Sequence, residues 1–299
     1  ERAAAGAGSV RDAVQNHPVL VVGVLVALIA SAWILGTPRS AGPDEPGHVV
    51  RGGALVRGQL DGEAFPQFGF QDSFELPGHV GFPDPVCFAF DEFTPASCTN
   101  ALEPVDGEVM AGTRAADYPI WGHLPGGLGT FAPAEWSAWA ARFAHAVVPL
   151  GLVVSALALV RRRGAVGAGS VLLALTPMAW FMFAVVNPSG IVIGGGIGLW
   201  VALTARPDVG RFAGWLAAAS WAAMVLPRRD GMVWASLIVA IVVLTDDRPA
   251  RDWWRMLGRA PAGLDHAGGA PRHREELERI HPEQQPVSYT HLTLPTKIV

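Results

Sequence analysis

The sequence predicts an all-α membrane protein, a multi-pass helical bundle of about six spans with a large extracytoplasmic loop after the first. Three observations carry that prediction. Hydrophobic residues make up 51% of the 299 residues and charged ones only 16%, against about a quarter in soluble domains. The apolar residues gather in long runs, and mean hydropathy is +0.31. The arginines collect in the short segments between those runs. A net charge of −4 leaves no basic stripe to neutralise phosphates, which excludes a nucleic-acid binder.

Residues 1–18 read as a cytoplasmic N-terminal segment, followed by a first span at 19–35, an unbroken apolar run close to the length a bilayer requires. That run is longer than the apolar core of a signal peptide, and no small-residue cleavage site follows it. Residues 136–244 then read as spans two to six, near 136–160, 166–186, 190–205, 212–226 and 232–244. Arg161-Arg162-Arg163, Arg206 with Arg211, and the cluster from Arg248 to Arg259 all fall on one side if the N-terminus is cytoplasmic. That matches the enrichment of arginine in short cytoplasmic loops, so a plasma-membrane protein with its N-terminus inside is expected. Arg228-Arg229 break the rule, because they then face outward.

Residues 37–134 are the predicted extracytoplasmic loop, rich in Pro, Gly, Phe and Asp and expected to be ordered but irregular. Both cysteines, Cys87 and Cys98, lie in it. A pair in an oxidising compartment predicts a disulfide. Residues 245–285 read as a cytoplasmic segment. Residues 286–299 are expected to be a translated sequencing adapter, since Val287 to Thr296 back-translates into the transposase adapter of library preparation, and the single lysine, Lys297, lies there. The natural chain is then expected to run on past residue 285 and, as Glu1 is not methionine, to begin earlier. Arginine in place of lysine, with abundant Ala, Gly and Pro, suggests a GC-rich bacterial genome.

The candidate chemistry sits in Pro43-Asp44-Glu45-Pro46-Gly47-His48-Val49-Val50-Arg51, directly after the first span. If a helix starts near Pro46, then Asp44, His48, Arg51 and Leu55 fall at i, i+4, i+7 and i+11, one stripe of ionisable groups at the water interface. The bland alternative is that Asp44 only caps that helix. Arg142 near the outer end of the second span, with His145 at i+3, invites a buried partner or snorkelling to the interface. Asn187-Pro188-Ser189-Gly190 reads as a tight turn, and Gly194-Gly195-Gly196 with Gly198 as helix packing. Pro125-Gly126-Gly127-Leu128-Gly129 lacks the Lys-Ser/Thr of a phosphate-binding loop. Trp121, Trp136, Trp139, Trp253 and Trp254 suit interfacial belts.

The PDEPGHVVRGGALVRGQL block resembles the membrane family called domain of unknown function 2142. Supporting matches are Tyr118-Pro119-Ile120-Trp121, Ala141-Arg142-Phe143, Leu175-Thr176-Pro177-Met178, Val186-Asn187-Pro188-Ser189-Gly190 and the segment from Pro227 to Trp234, together covering about 15–260. The family is similar in layout to the C-fold glycosyltransferases that use polyprenyl-phosphate sugars, which place an acidic catalytic or metal-binding residue just after span one. The resemblance implies transfer of a sugar from a polyprenyl-phosphate donor to a cell-envelope glycan acceptor at the bilayer's outer face. Asp44 is then the expected base and Glu45 the second choice. His48 would hydrogen-bond Asp44, or join Asp44 and Glu45 on a divalent cation; no other cofactor is implied. Arg51, Arg142, Arg228 and Arg229 would contact the phosphate. The rival expectation is a non-catalytic protein that binds or exports an envelope polymer.

Overall fold

The computed structural model describes residues 16–64, 72–81, 87–88, 91–101, 105–161, 164–205 and 210–247, all within one compact unit, Glu1–Pro261. The adapter-like tail, the 245–285 segment beyond residue 247, the cluster from Arg248 to Arg259, Trp253, Trp254, Arg162, Arg163 and Arg206 lie outside the described residues.

The described chain is mostly helical. Helix α1, Pro18–Gly36, starts on Pro18, whose missing N–H costs nothing in a first turn. Thr37 closes it, its backbone N–H and its hydroxyl both donating to Trp33 O. Only Val26, Ala30 and Ile34 of α1 are buried, a narrow i, i+4, i+8 seam, while Leu20, Leu25 and Leu28 lie exposed. A helix apolar on every side and buried on one is built for a lipid surround.

Helix α2, Glu45–Leu55, follows the first turn of the loop. Strands β1 (Glu63–Ala64), β2 (Asp72–Pro77) and β3 (Glu108–Thr113) form an antiparallel sheet in that order, with Phe74 opposite Ala111 and Leu76 opposite Val109. A four-residue turn, α3 (Gly78–Gly81), follows β2. Phe74, Leu76, Val80 and Ala111 pack on Val50 and Ala54 of α2, a small core separate from the main one. The segment expected to be irregular therefore contains a sheet, whose strands are too short to show a convincing period of two. Cys87 and Cys98 are disulfide-bonded, 6.2 Å apart at Cα. Helix α4, Leu124–Gly129, is the glycine-rich segment, and it packs against α2. A Cβ on Gly52 would stand 2.7 Å from His123 O and 3.0 Å from Gly127 Cα, so the two backbones touch because neither residue carries a side chain.

Helix α5, Ser137–Val160, is followed by α6 (Gly164–Ala174), α7 (Pro177–Ala184), α8 (Pro188–Leu203), α9 (Gly210–Val225) and α10 (Gly231–Thr245). Helix α8 is the hub, packed on α5, α9 and α10. Its glycines make the close approaches: a Cβ on Gly194 would lie 2.8 Å from Pro149 of α5 and one on Gly195 2.8 Å from Met224 of α9. The run expected as one third span is bent by 66° between Gly167–Ala174 and Pro177–Ala184. Pro177 removes an N–H and forces a fresh helix start, which the Thr176 hydroxyl caps by accepting from Ala179 N at 3.2 Å.

Helices Pro18–Gly36, with 19 residues, and Ser137–Val160, with 24, are long and apolar enough to cross a bilayer, and the bent pair makes a third if it counts as one span. Pro188–Leu203 and Gly231–Thr245 are apolar but shorter. By length and composition the described residues thus supply two or three spans; the expected six are not reached, because three of the apolar runs form helices of only 15 or 16 residues.

Candidate functional site

The chain leaves α1 through residues 37–44 and re-enters helix at Glu45. Asp44 makes the turn with φ 55°, in the left-handed region that Asp and Asn tolerate best among non-glycine residues. Its side chain makes no capping hydrogen bond and is exposed to solvent. The capping alternative is therefore not what holds this helix start.

Glu45 holds it. The carboxylate is buried and paired to Arg142 of α5 in a two-pronged contact, Nε to Oε1 and Nη2 to Oε2, both at 2.7 Å. Oε1 also accepts from Val186 N at 3.0 Å and Oε2 from Gly42 N at 3.2 Å. Arg142, 1% exposed, spends its remaining N–H groups on Ile34 O, Thr37 O and Pro38 O. Five donors meet five acceptors and the carboxylate's four lone-pair positions are filled. The pair staples the end of α1, the start of α2, α5 and the link before α8. It leaves Glu45 no free oxygen for a proton or a cation and Arg142 no donor for a phosphate. In this arrangement the expected second base and the expected phosphate contact are each occupied within the protein.

His48, one turn along α2, does not meet Asp44 through its side chain. Its Nδ1 pairs with His123 Nε2 at 3.0 Å, and His123 Nδ1 lies 3.2 Å from Pro119 O. Burial, reinforced by the neighbouring His123, pushes His48 down to about 3, and burial brings His123 to about 4. Both imidazoles are neutral at pH 7. Arg51 is also buried, donating to Leu60 O at 2.9 Å with its guanidinium 5.4 Å from the Phe74 ring, so it braces the loop. Of the expected stripe, only Asp44 faces water. With Glu45 saturated and His48 turned to His123, those three do not converge on a cation, and among the described residues no cluster of three metal-ligating side chains occurs.

Arg228 and Arg229 behave differently. Arg228 donates through Nε to Asp230 Oδ1 at 2.9 Å and through Nη1 to Ser189 Oγ at 2.8 Å. Three of its five N–H groups carry no partner among the described residues. The same Arg228 contact holds Asp230 below the usual carboxylate range. Arg228 also lies 5.8 Å from the Tyr118 ring, and Arg229 Nη2 donates to Asp117 O at 3.2 Å. The two arginines that broke the charge rule are thus packed against the 37–134 segment, on its side of the molecule.

Asn187 closes the circuit. It caps α8 by accepting from Ser189 N, and its Nδ2 donates to Pro43 O at 2.8 Å, one residue from Asp44. His145 donates from Nε2 to Asn187 O at 2.9 Å. The turn is therefore also a strut between the Asp44 bend and Arg228. Sequence reasoning missed His123, Tyr118 and Ser189 as members. The available signal was that each stands in or beside a segment carrying the family resemblance, and the fold brings those segments to one place.

What results is an exposed carboxylate next to Pro43, which Asn187 and Ser189 link to Arg228, with a neutral histidine pair and a half-exposed tyrosine near that arginine. That set can accept a proton, hold an anion and accept hydrogen bonds. No match to the chain occurs among curated proteins or among solved structures. Residues 27–262 match the family described as Predicted membrane protein (DUF2142), which is most of the chain, and the protein belongs to that family.

Proposed function

We propose that the protein is a plasma-membrane glycosyltransferase that moves a sugar from a polyprenyl-phosphate donor to a cell-envelope glycan on the outer face. In this reading the N-terminus is cytoplasmic, the 37–134 segment is extracytoplasmic, and the 15- and 16-residue helices cross as well, with local bilayer thinning making up their length. The observation that carries it is the division of labour between adjacent carboxylates: Glu45 is locked to Arg142 while Asp44 stands exposed, beside a strut that leads to Arg228.

The acceptor hydroxyl gives its proton to Asp44 as its oxygen attacks the anomeric carbon. The bond from that carbon to the phosphate oxygen breaks, and the lipid phosphate leaves with the electron pair. Arg228, with three uncommitted N–H groups, and Arg229 stabilise that phosphate. The lipid tail stays in the bilayer beside the loop. The second reading, binding or export of an envelope polymer without transfer, draws on the fact that Glu45 and Arg142 are both consumed in structure, leaving few groups for chemistry.

Asp44→Asn separates the two, because Asn tolerates the same left-handed backbone and removes only the base. A strain lacking the gene is complemented with either form and its envelope-glycan sugars are quantified. Loss of a sugar restored by wild type and not by well-expressed Asp44→Asn supports transfer; full rescue by Asp44→Asn overturns it.

A further inference from the structure

The buried histidine pair has a fixed direction. Pro119 O can only accept, so His123 Nδ1 carries the hydrogen. Neutral His123 then has a bare Nε2, which accepts from His48 Nδ1–H. The last atom in the line, His48 Nε2, is left as a lone pair with no partner among the described residues. It is also not one of the nitrogens sealed from solvent without a partner, as Arg51 Nε, His79 Nε2 and His145 Nδ1 are. Beside it stands Tyr118, 40% exposed, its ring 6.0 Å from that of His48 and stacked 6.4 Å from that of His123. Arg228 lies over the same tyrosine.

A one-directional acceptor, a half-exposed tyrosine ring and a guanidinium with three N–H groups still unpaired among the described residues, side by side, match a ring-shaped ligand that offers a hydroxyl hydrogen and carries a phosphate. The geometry points to a sugar subsite: His48 Nε2 accepts a hydrogen bond from a ligand hydroxyl, Tyr118 covers one face of the sugar ring, and His123 is the positioning residue that holds the acceptor tautomer. This rests on the reading of the face as a site for a phosphate-linked sugar, but not on any transfer step. It assigns His48 to recognition in place of metal binding or contact with Asp44, and it gives His123 and Tyr118 roles.

Acylation by diethylpyrocarbonate tests it, since that reagent attacks the unprotonated imidazole nitrogen. The purified full chain in nanodiscs is treated at pH 7.5 and pH 5 and each histidine is followed by mass spectrometry. An imidazole of ordinary pKa in a reference peptide slows about 30-fold between the two. His48, whose burial and then the neighbouring His123, His145 and Arg228 oppose protonation, keeps its rate within about 2-fold. The probe is the polar lipid extract of the source cells, intact or after mild acid that strips sugars from polyprenyl phosphates. Protection of His48 by the intact extract alone is the expected result. His123→Gln, which keeps an acceptor, retains the protection; His123→Phe loses it, with the His48 hydrogen moving to Nε2 by nitrogen NMR.

No acylation at either pH, protection by neither extract, or equal protection by both overturns the subsite. Full rescue by Asp44→Asn in the glycan assay leaves this result standing and removes only the transfer step, so the two failures are distinguishable.

Discussion

Removing the Glu45 carboxylate tests how the site is held. In Glu45→Ala, two N–H groups of Arg142 and the backbone N–H groups of Gly42 and Val186 lose their acceptor together. Arg142 is 1% exposed, so its charge stays buried and uncompensated. Breaking one partner of a buried pair costs about 3–5 kcal/mol, and orphaned buried donors cost about 1–3 kcal/mol each without adding in full. The expected loss is about 4 kcal/mol, roughly a 10 °C fall in unfolding temperature at this chain size. The assay is thermal unfolding in detergent micelles, followed by tryptophan fluorescence. Arg142→Leu orphans three carbonyls and the carboxylate, and the double variant loses clearly less than the sum of the singles because both break the same bonds. A Glu45→Ala loss below about 1 kcal/mol, or strict additivity, would refute the staple.

Other consequences are as direct. His48 and His123 sit below an unfolded value of 6.5, so between pH 6.5 and about 4 the unfolded chain binds more protons at these positions than the folded one. Their stability contribution is complete above pH 6.5 and falls as pH drops, by up to about 1.4 kcal/mol per pH unit for each; His48→Gln/His123→Gln flattens that slope in unfolding scans. Arg228→Gln changes stability by less than about 1 kcal/mol, since its ion pair is exposed, yet fails to restore the envelope glycan. Gly52→Ala pushes a methyl into the His123 carbonyl and costs about 1–3 kcal/mol, read as a lower unfolding temperature. Cys87→Ser loses about 2–3 kcal/mol from the loop closed by the disulfide, and alkylation mass mapping finds Cys98 newly reactive.

The helix after Pro43, the long first and second spans and the close packing of the α8 glycines were legible in the sequence because each follows from local composition: a proline at a helix start, unbroken apolar runs, residues without a side chain. What each charged group does was not. Asp44 and Glu45 are neighbours of the same chemistry, and nothing local distinguishes the one that is buried. That is decided by Arg142, 97 residues away, and by Val186, 141 residues away. His48 stood out in the sequence, but its partner lies 75 residues on, after a segment that reads only as proline-rich loop. The sheet escaped notice because a six-residue strand with two or three inward apolar residues resembles any loop. The bend at Pro177 was hidden by an apolar run that continues through it, since hydropathy does not register a missing N–H.

The most direct measurement compares the two neighbouring carboxylates side by side: Asp44→Asn and Glu45→Gln in a deletion strain, scored for both membrane abundance and envelope-glycan sugars. The account predicts that Asp44→Asn accumulates like wild type without restoring the glycan, while Glu45→Gln accumulates poorly because Arg142 has lost its charge partner. An abundant Glu45→Gln that fails to restore the glycan, beside an Asp44→Asn that restores it, would reverse the two roles and contradict the account.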